Sequence, residues 1–452
     1  MAASQLVKLF LTIVLALYFN HASATLDFIK SSQLPNLDTE PLTRIAFGSC
    51  INQTIQQPIW NAINAYHPQL WIWLGDNIYA DTKRNMVLLG PKRNVGPWRP
   101  SPRFVPVSNE VMAKQYALQN AQPGYVQLKQ RTHVVGTWDD HDYGLNDAGK
   151  EFEGKADSMR LMLDFIGEPK DSPRRKQDGV YAAYTYGPPG RRVKVFLLDT
   201  RYNRDAKWSD GDVLGEAQWQ WLEHELETSD AQIHIIGSSV QVVTHLSELV
   251  QPFFHTEAWG HYPTARKRLY DTINRSQKGG VILLSGDVHF GEISREDCAI
   301  GYRLHDLTSS GLTQGVQKSV KAPTRWLMKL AAVFVPRIRR IVGPYSNRNF
   351  ATISIDWEAD PVEIELQIRD EDGDRVHKPV RLRLSSLQPG ANGLPLGEVR
   401  TGCLTEENLV WHAKYRLAIV FIGVPVLVLS YIGWYLFRRS RRPWELSIKK
   451  VD

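Results

Sequence analysis

The most informative part of this chain is Leu-Trp-Ile-Trp-Leu-Gly-Asp-Asn-Ile-Tyr-Ala-Asp, residues 70–81. Its first five residues are apolar and predict a short buried strand, and Asp76 follows close behind the strand's end. The pattern recurs at residues 133–142, ending in Trp-Asp-Asp-His-Asp, and at residues 281–289, ending in Gly-Asp-Val-His. Open α/β sheets build their sites at the carboxyl ends of strands, so these carboxylates and imidazoles should converge. The pattern predicts a dinuclear metal centre.

The rest of the chain alternates strands with helices, which is typical of an α/β fold. Strands are predicted at 45–50, 70–74, 133–137, 193–199, 233–237 and 281–285, and helices near 58–66, 157–166, 216–227 and 264–276. After residue 350 the apolar residues alternate with polar ones, which predicts strands at 351–357, 363–369 and 380–384. Since a three-stranded unit has too little core of its own, we expect these late strands to complete a second sheet.

The composition is that of an ordinary globular protein of 452 residues, with 43% hydrophobic and 23% charged residues. Its net charge is +6, but residues 438–452 carry six basic residues against two acidic ones and so supply four of those charges. The remainder is nearly neutral. Nucleic-acid binding therefore has no electrostatic support outside this tail.

Both ends of the chain carry targeting patterns. Lys8, an apolar run and Ala22-Ser23-Ala24 predict a cleaved signal peptide at 1–24. Residues 417–437 contain no charge, which predicts a membrane-spanning helix at 415–437 between a lumenal or extracellular body, 25–411, and a basic cytosolic tail, 438–452. The expected protein is a single-pass type I membrane protein of the secretory pathway.

The tail also suggests an address within that pathway. Lys449 and Lys450 lie third and fourth from the end, which resembles the dilysine signal that coat proteins recognise for return to the endoplasmic reticulum. The alternative is a basic tail that only sets membrane orientation, with the protein at the plasma membrane. The endoplasmic reticulum and Golgi are favoured.

The three cysteines are an odd number for an oxidising compartment. Cys50 ends a strand-like run, the position that the other ligand motifs occupy, so we interpret it as a metal thiolate. Cys298 and Cys403 are then expected to form a disulfide; the alternative is three buried free thiols. Glycosylation sequons begin at Asn52 and Asn274, and we expect glycan mainly on Asn274.

The residue types suit two different metal ions. Asp76 is the natural bridging carboxylate, since it follows a strand directly. A thiolate, a phenolate and an imidazole suit a trivalent iron, and carboxylate and amide oxygens suit a harder divalent ion. The first set is Cys50, Tyr79 and His289, and the second is Asp140, Asn146 and Asp287. His141 lies between two acids, where it could donate a proton to a leaving oxygen.

These motifs resemble the PhoD-like (alkaline phosphatase D) branch of the metallophosphoesterases. The resemblance covers about residues 42–370 and keeps the family's order of motifs: Phe-Gly-Ser-Cys at 47–50, the runs around Asp76 and Asp140, Leu-Leu-Asp-Thr-Arg-Tyr at 197–202, Gly-Ser-Ser-Val-Gln at 237–241 and Leu-Ser-Gly-Asp-Val-His at 284–289. It implies a four-layer α/β/β/α sandwich of two mixed sheets.

The resemblance also implies a role for each position. Cys50, Asp76, Tyr79 and His289 look like the ligands of Fe(III), and Asp76, Asp140, Asn146 and Asp287 look like those of a second, divalent ion, often calcium. Arg201 is similar to the arginine that binds the substrate phosphate, a task that suits a bidentate guanidinium. In related purple acid phosphatases a histidine after the Gly-Ser-Ser strand adds a ligand. Here Gln241 and His245 both remain candidates.

The expected function is hydrolysis of phosphate esters in the lumen or outside the cell, through a metal-bound hydroxide, by a membrane-anchored phosphatase or phosphodiesterase. One alternative is a lipid-directed phosphodiesterase, favoured if the basic, apolar segment 318–342 lies on the membrane instead of capping the core. The other is an inactive receptor or scaffold with the same fold. The sequence leaves open whether monoesters or diesters are cleaved.

Overall fold

The computed structural model describes residues 34–83, 104–207, 209–244, 257–315, 340–391 and 422–440. The predicted signal peptide, the tail from 441 onward, His245, Cys403 and residues 318–339 of the basic, apolar segment lie outside these ranges. Cys298 is disulfide-bonded, as predicted, and Cys50 is buried and not part of a disulfide.

The first sheet has six strands, three of them parallel. The strands are β1 (Arg44–Gly48), β2 (Leu70–Leu74), β5 (His133–Thr137), β13 (Asn349–Asp356), β14 (Glu363–Asp370) and β15 (Val380–Arg383). Their order across the sheet is β15-β14-β13-β1-β2-β5. β1, β2 and β5 run parallel, so their carboxyl ends meet at one edge.

The late strands β13, β14 and β15 form antiparallel pairs that continue this sheet from β1. The sequence predicted that they complete a second sheet; instead they extend the first, because β13 pairs directly with β1.

The second sheet has seven strands in the order β12-β10-β11-β9-β8-β7-β6. They are β6 (Ala182–Tyr186), β7 (Val193–Leu197), β8 (Ile233–Gly237), β9 (Val281–Ser285), β10 (Gly291–Glu296), β11 (Leu304–Ser309) and β12 (Arg340–Tyr345). β7, β8, β9 and β11 are mutually parallel neighbours, and β6, β10 and β12 are antiparallel. Both sheets are thus mixed, as expected.

The described residues form eight α-helices. They are α1 (Ile59–Tyr66), α2 (Asn109–Asn120), α3 (Pro123–Lys129), α4 (Asp140–Tyr143), α5 (Lys155–Phe165), α6 (Glu216–Glu227), α7 (Pro263–Ser276) and α8 (Val424–Ser440). A short hairpin of β3 (Thr82–Lys83) and β4 (Phe104–Val105) lies apart from both sheets.

Successive side chains of β2 point to opposite faces of the sheet, and this explains how the layers pack together. Ile72 points into a hydrophobic cluster that also contains Val195 and Ile235 of the second sheet. Trp71 and Trp73 point to the other face, where they pack edge-to-face with Trp60 of α1. Because both faces of β2 are buried, its sequence is continuously apolar. The sheets therefore face each other, with helices outside.

The C-terminal helix α8 has 17 residues. Within the described ranges, no helix combines enough length with enough apolar character to cross a membrane.

Candidate metal centre

The backbone turns sharply where the strands end, and this aims the predicted ligands at one place. Cys50, Asp76, Asp287 and His289 all have positive φ, at 63°, 49°, 69° and 60°. Positive φ is uncommon for residues other than glycine and clusters at functional sites, where the surrounding structure must enforce it.

The first group of predicted ligands combines sulfur, carboxylate and imidazole. The ligand atoms of Cys50, Asp76 and His289 all lie within 4.8 Å of one another. The Cys50 thiol lies 3.4 Å from Asp76 Oδ2, and the Tyr79 hydroxyl lies 3.0 Å from His289 Nε2. The structure therefore brings together the whole predicted Fe(III) set.

The second group is made of carboxylates. Asp139, Asp140 and Asp287 have oxygens within 4.8 Å of one another, and so do Asp76 and Asp140 with a nitrogen of His141. Asp76 thus belongs to a group with Cys50 and to a group with Asp140, as a bridging carboxylate must.

The donor atoms fit bound cations. Within the described residues, Asp139 Oδ2 and Asp140 Oδ1 are buried and accept no hydrogen bond. Buried carboxylate oxygens rarely lack a hydrogen-bond partner unless an ion or a water molecule binds them. Burial also raises the pKa of the Asp76 and Asp287 carboxyls well above their usual values. A cation between them would restore their charged, ligating form.

Burial lowers the pKa of His289 to about 4, with a smaller contribution from the nearby His141. Its imidazole is therefore neutral at neutral pH, the form that binds metals.

His141 and Asn146 are linked through Asp81, a residue that sequence reasoning missed. Asp81 Oδ1 accepts a hydrogen bond from His141 Nδ1 at 2.6 Å, and its Oδ2 accepts one from the Asn146 backbone N–H at 3.0 Å. Burial alone would lower the pKa of His141, but Asp140, Asp76 and Asp81 outweigh it and raise that pKa well above its usual value. The structure thus places His141 in one group with Asp76 and Asp140, and Asp81 holds its Nδ1.

Asp142, which sequence reasoning also missed, connects two of the turns through hydrogen bonds. Its carboxylate accepts hydrogen bonds from the backbone N–H groups of Asp76 and Asn77, both at 3.2 Å, and of Asp139 at 2.6 Å. The Asn77 side chain adds another at 2.6 Å. Neither acid has a spacing that marks it, since its partners are backbone groups and side chains distant in sequence. The strand-end position within Asp-Asp-His-Asp is the only sequence signal.

Arg201 lies beside the acidic residues of the candidate site. Its side chain is fully buried; Nε donates to Asp139 Oδ1 at 2.6 Å, and the guanidinium pairs with Glu257 at 2.5 Å. Glu257 also pairs with Arg204 at 2.9 Å and with Lys207 at 2.6 Å. In this arrangement the guanidinium fixes the orientation of the Asp139 carboxylate. A contact between Arg201 and substrate phosphate stays a prediction.

Gln241, one candidate for the extra ligand, is hydrogen-bonded inside the core. Its side chain is buried, and its amide nitrogen donates to Thr308 Oγ1 at 2.9 Å. The other candidate, His245, lies outside the described residues, so the choice between them stays open.

Comparisons with known proteins identify a matching family, a related sequence and a similar fold. The profile of the family described as PhoD-like phosphatase matches residues 45–303, a range that includes every predicted ligand and Arg201. Alkaline phosphatase D of Bacillus subtilis (strain 168) is 25% identical over 187 residues, which is 34% of this chain. The aligned part spans 30% of that relative's length.

A solved structure titled "Structure of PhoD" is similar in fold. It has 17% sequence identity and a TM-score of 0.55, and the match covers 81% of this chain and 73% of that chain.

Proposed function

This chain belongs to the PhoD-like phosphatase family, and we propose from that premise that it is a metal-dependent hydrolase of phosphate esters. One observation carries the proposal. Strand ends of both sheets bring Cys50, Asp76 and His289, and next to them Asp139, Asp140 and Asp287, within 4.8 Å in each group. A purely structural role would not require so many buried acids and a free thiol where the strand ends of two sheets meet.

The proposed ligand sets follow the donor chemistry. Cys50, Tyr79, His289 and Asp76 would hold Fe(III), since thiolate and phenolate are strong donors; Asp76, Asp140, Asn146 and Asp287 would hold a divalent ion such as calcium. When bound, two such ions polarise the phosphate and provide a nucleophile from water at neutral pH.

The residues around the metals would have supporting tasks. Asp81 accepts from His141 Nδ1, which leaves Nε2 as the nitrogen that could donate a proton to the leaving oxygen. Arg201 fixes the orientation of Asp139, and Asp142 fixes the backbone of both turns.

The test is an assay of the purified protein against nitrophenyl phosphate and bis-nitrophenyl phosphate, with metal analysis of the same sample. We expect hydrolysis of one or both, loss of activity after chelation, and recovery when metal is returned. A protein that holds two metal ions per chain yet cleaves neither ester would favour the inactive scaffold. The intact ligand set argues against that alternative.

We further propose that α8 inserts into a membrane. Its apolar side chains are exposed at consecutive positions, including Leu427 at 70% and Leu429 at 68%, so the described part of the protein leaves most of the helix surface uncovered. A helix that is apolar all round needs an apolar environment. The body would then lie in the lumen or outside the cell, with the endoplasmic reticulum and Golgi favoured.

Membrane attachment is tested by ending the chain after residue 411. We expect the shortened protein to leave the membrane fraction, while a control that lacks only residues 441–452 stays there. Equal sedimentation of both would contradict insertion of α8.

A further inference from the structure

Ser310 lies between two predicted metal ligands that come from different sheets. It directly follows β11, which pairs in parallel with β9, the strand that leads to Asp287 and His289. Cys50 comes from the end of β1 in the other sheet. The Ser310 side chain is fully buried at this junction.

The hydrogen bonds of Ser310 fix where its own hydrogen points. The His289 backbone N–H donates to Ser310 Oγ at 2.8 Å, and an N–H group can only donate. The hydroxyl hydrogen therefore points elsewhere, and Cys50 Sγ lies 3.1 Å from the same oxygen. A thiolate at Cys50 would accept this hydrogen bond.

The neighbouring Ser49 provides a contrast. Its hydroxyl lies 3.6 Å from Cys50 Sγ but donates to the Ser309 carbonyl oxygen at 3.2 Å. Both serines are fully buried and both are close to the sulfur. Only Ser310 has its hydrogen free for the thiolate.

We propose that Ser310 is a positioning residue that orients Cys50 and His289 together and weakens electron donation from the Cys50 thiolate to the bound metal. The proposal rests on the proposed function, because it requires Cys50 to be a ligand. A hydrogen bond to a ligating sulfur stabilises its lone pairs, and such bonds tune metal–thiolate sites.

The test uses metal-free protein reconstituted with Co²⁺, whose sulfur-to-cobalt charge-transfer band reports on the thiolate without any substrate. We expect Ser310→Ala to bind cobalt at wild-type stoichiometry with the band moved to longer wavelength. Ser310→Thr, which keeps the hydroxyl, and Ser49→Ala, the matched control, should leave the band in place.

An unmoved band in cobalt-loaded Ser310→Ala, or an equal shift in Ser49→Ala, would overturn the role of Ser310. Cys50→Ser separates this failure from that of the ligand assignment. If the band survives in that variant, Cys50 is not the ligand, and the role of Ser310 falls with it.

A second measurement needs no variant and covers the case in which Ser310→Ala does not fold. The cobalt–sulfur vibration of the wild-type protein should shift after exchange into D2O, because the hydroxyl hydrogen exchanges. An unshifted vibration would contradict the hydrogen bond.

Discussion

Single carboxylates around the predicted ligands determine how well the site is organised. Asp81 contacts both His141 and the backbone of Asn146, so it connects the proposed proton donor to a proposed ligand. Asp142 joins the turn at Asp76 to the turn at Asp139. Outer residues of this kind orient the ligands, and their loss typically lowers metal affinity or activity about 10–100-fold.

Replacing Asp81 with asparagine should slow turnover about 10–100-fold, because His141 loses the partner that fixes its tautomer. His141→Ala should slow it roughly 10²–10⁴-fold, the usual contribution of a general acid. Both variants should keep their metal. Steady-state kinetics and metal analysis check this, with the exposed Asp157→Asn as the control. Loss of metal from His141→Ala would instead identify His141 as a ligand.

Most of the predicted ligands could be proposed from the sequence because they come shortly after an apolar strand. Asp81, Asp142 and Ser310 could not, since their partners are backbone groups or residues distant in sequence. Arg201 shows a different limit. Its residue type and motif suggested a substrate contact, whereas the buried pairs with Asp139 and Glu257 became visible only in three dimensions.

Among the elements, the turn after β2 is the most constrained. Gly75 has a φ of 95°, and a Cβ added there would lie 2.4 Å from Asp139 Cβ. This close approach lets the turn that carries Asp76 contact the turn that carries Asp139.

Gly75→Ala should lower the free energy of unfolding by about 3 kcal/mol, from left-handed strain plus the steric clash. Gly190→Ala is a matched control, because its φ is 83° and no atom lies within 4 Å of an added Cβ. It should cost about 1 kcal/mol. Urea denaturation measures both, and equal losses would show that the contact with Asp139 is unimportant.

Strand β8 contains a buried neutral histidine that should make stability depend on pH. His234 Nδ1–H donates to the Gly279 carbonyl oxygen at 2.8 Å, and its Nε2 accepts from the Ser229 hydroxyl at 2.9 Å. Burial, with smaller contributions from Lys278 and Lys194, lowers its pKa to about 4.

Because the folded pKa lies below the unfolded value, the unfolded chain takes up the proton first as the pH falls. The stability contribution is present above about pH 6.5 and is lost progressively toward pH 4, by about 2 kcal/mol between pH 7 and pH 5. His234→Gln should remove this part of the pH dependence in urea denaturation, and the exposed His224→Gln should not. An unchanged slope in His234→Gln would contradict the assignment.

Strands with apolar runs, such as β2 and β9, were predictable, and several others were not. β11 is fully buried yet contains His305, Asp306 and Thr308, so it shows no apolar pattern. Asp306 is tolerated there because it accepts hydrogen bonds from the backbone N–H groups of Val242 and Val243. Buried polar residues whose hydrogen bonds are made interrupt the apolar pattern of a strand, so the strand is not recognised from its sequence.

In the molecule as a whole, the candidate metal centre lies at the junction of the two sheets. The first sheet contributes Cys50, Asp76 and Asp140 from the ends of β1, β2 and β5, and the second contributes Asp287 and His289 from the end of β9. Metal binding should therefore stabilise the packing of one sheet against the other.

Metal content of the purified wild-type protein and of Asp76→Asn will show whether two metal ions share Asp76. Asp76 belongs both to the group with Cys50 and to the group with Asp140, so its replacement should weaken both ion sites at once. We predict two metal ions per chain and phosphoester hydrolysis in the wild type, and loss of both metal and hydrolysis in Asp76→Asn. Full metal content with most of the activity retained in that variant would contradict a dinuclear centre bridged by Asp76.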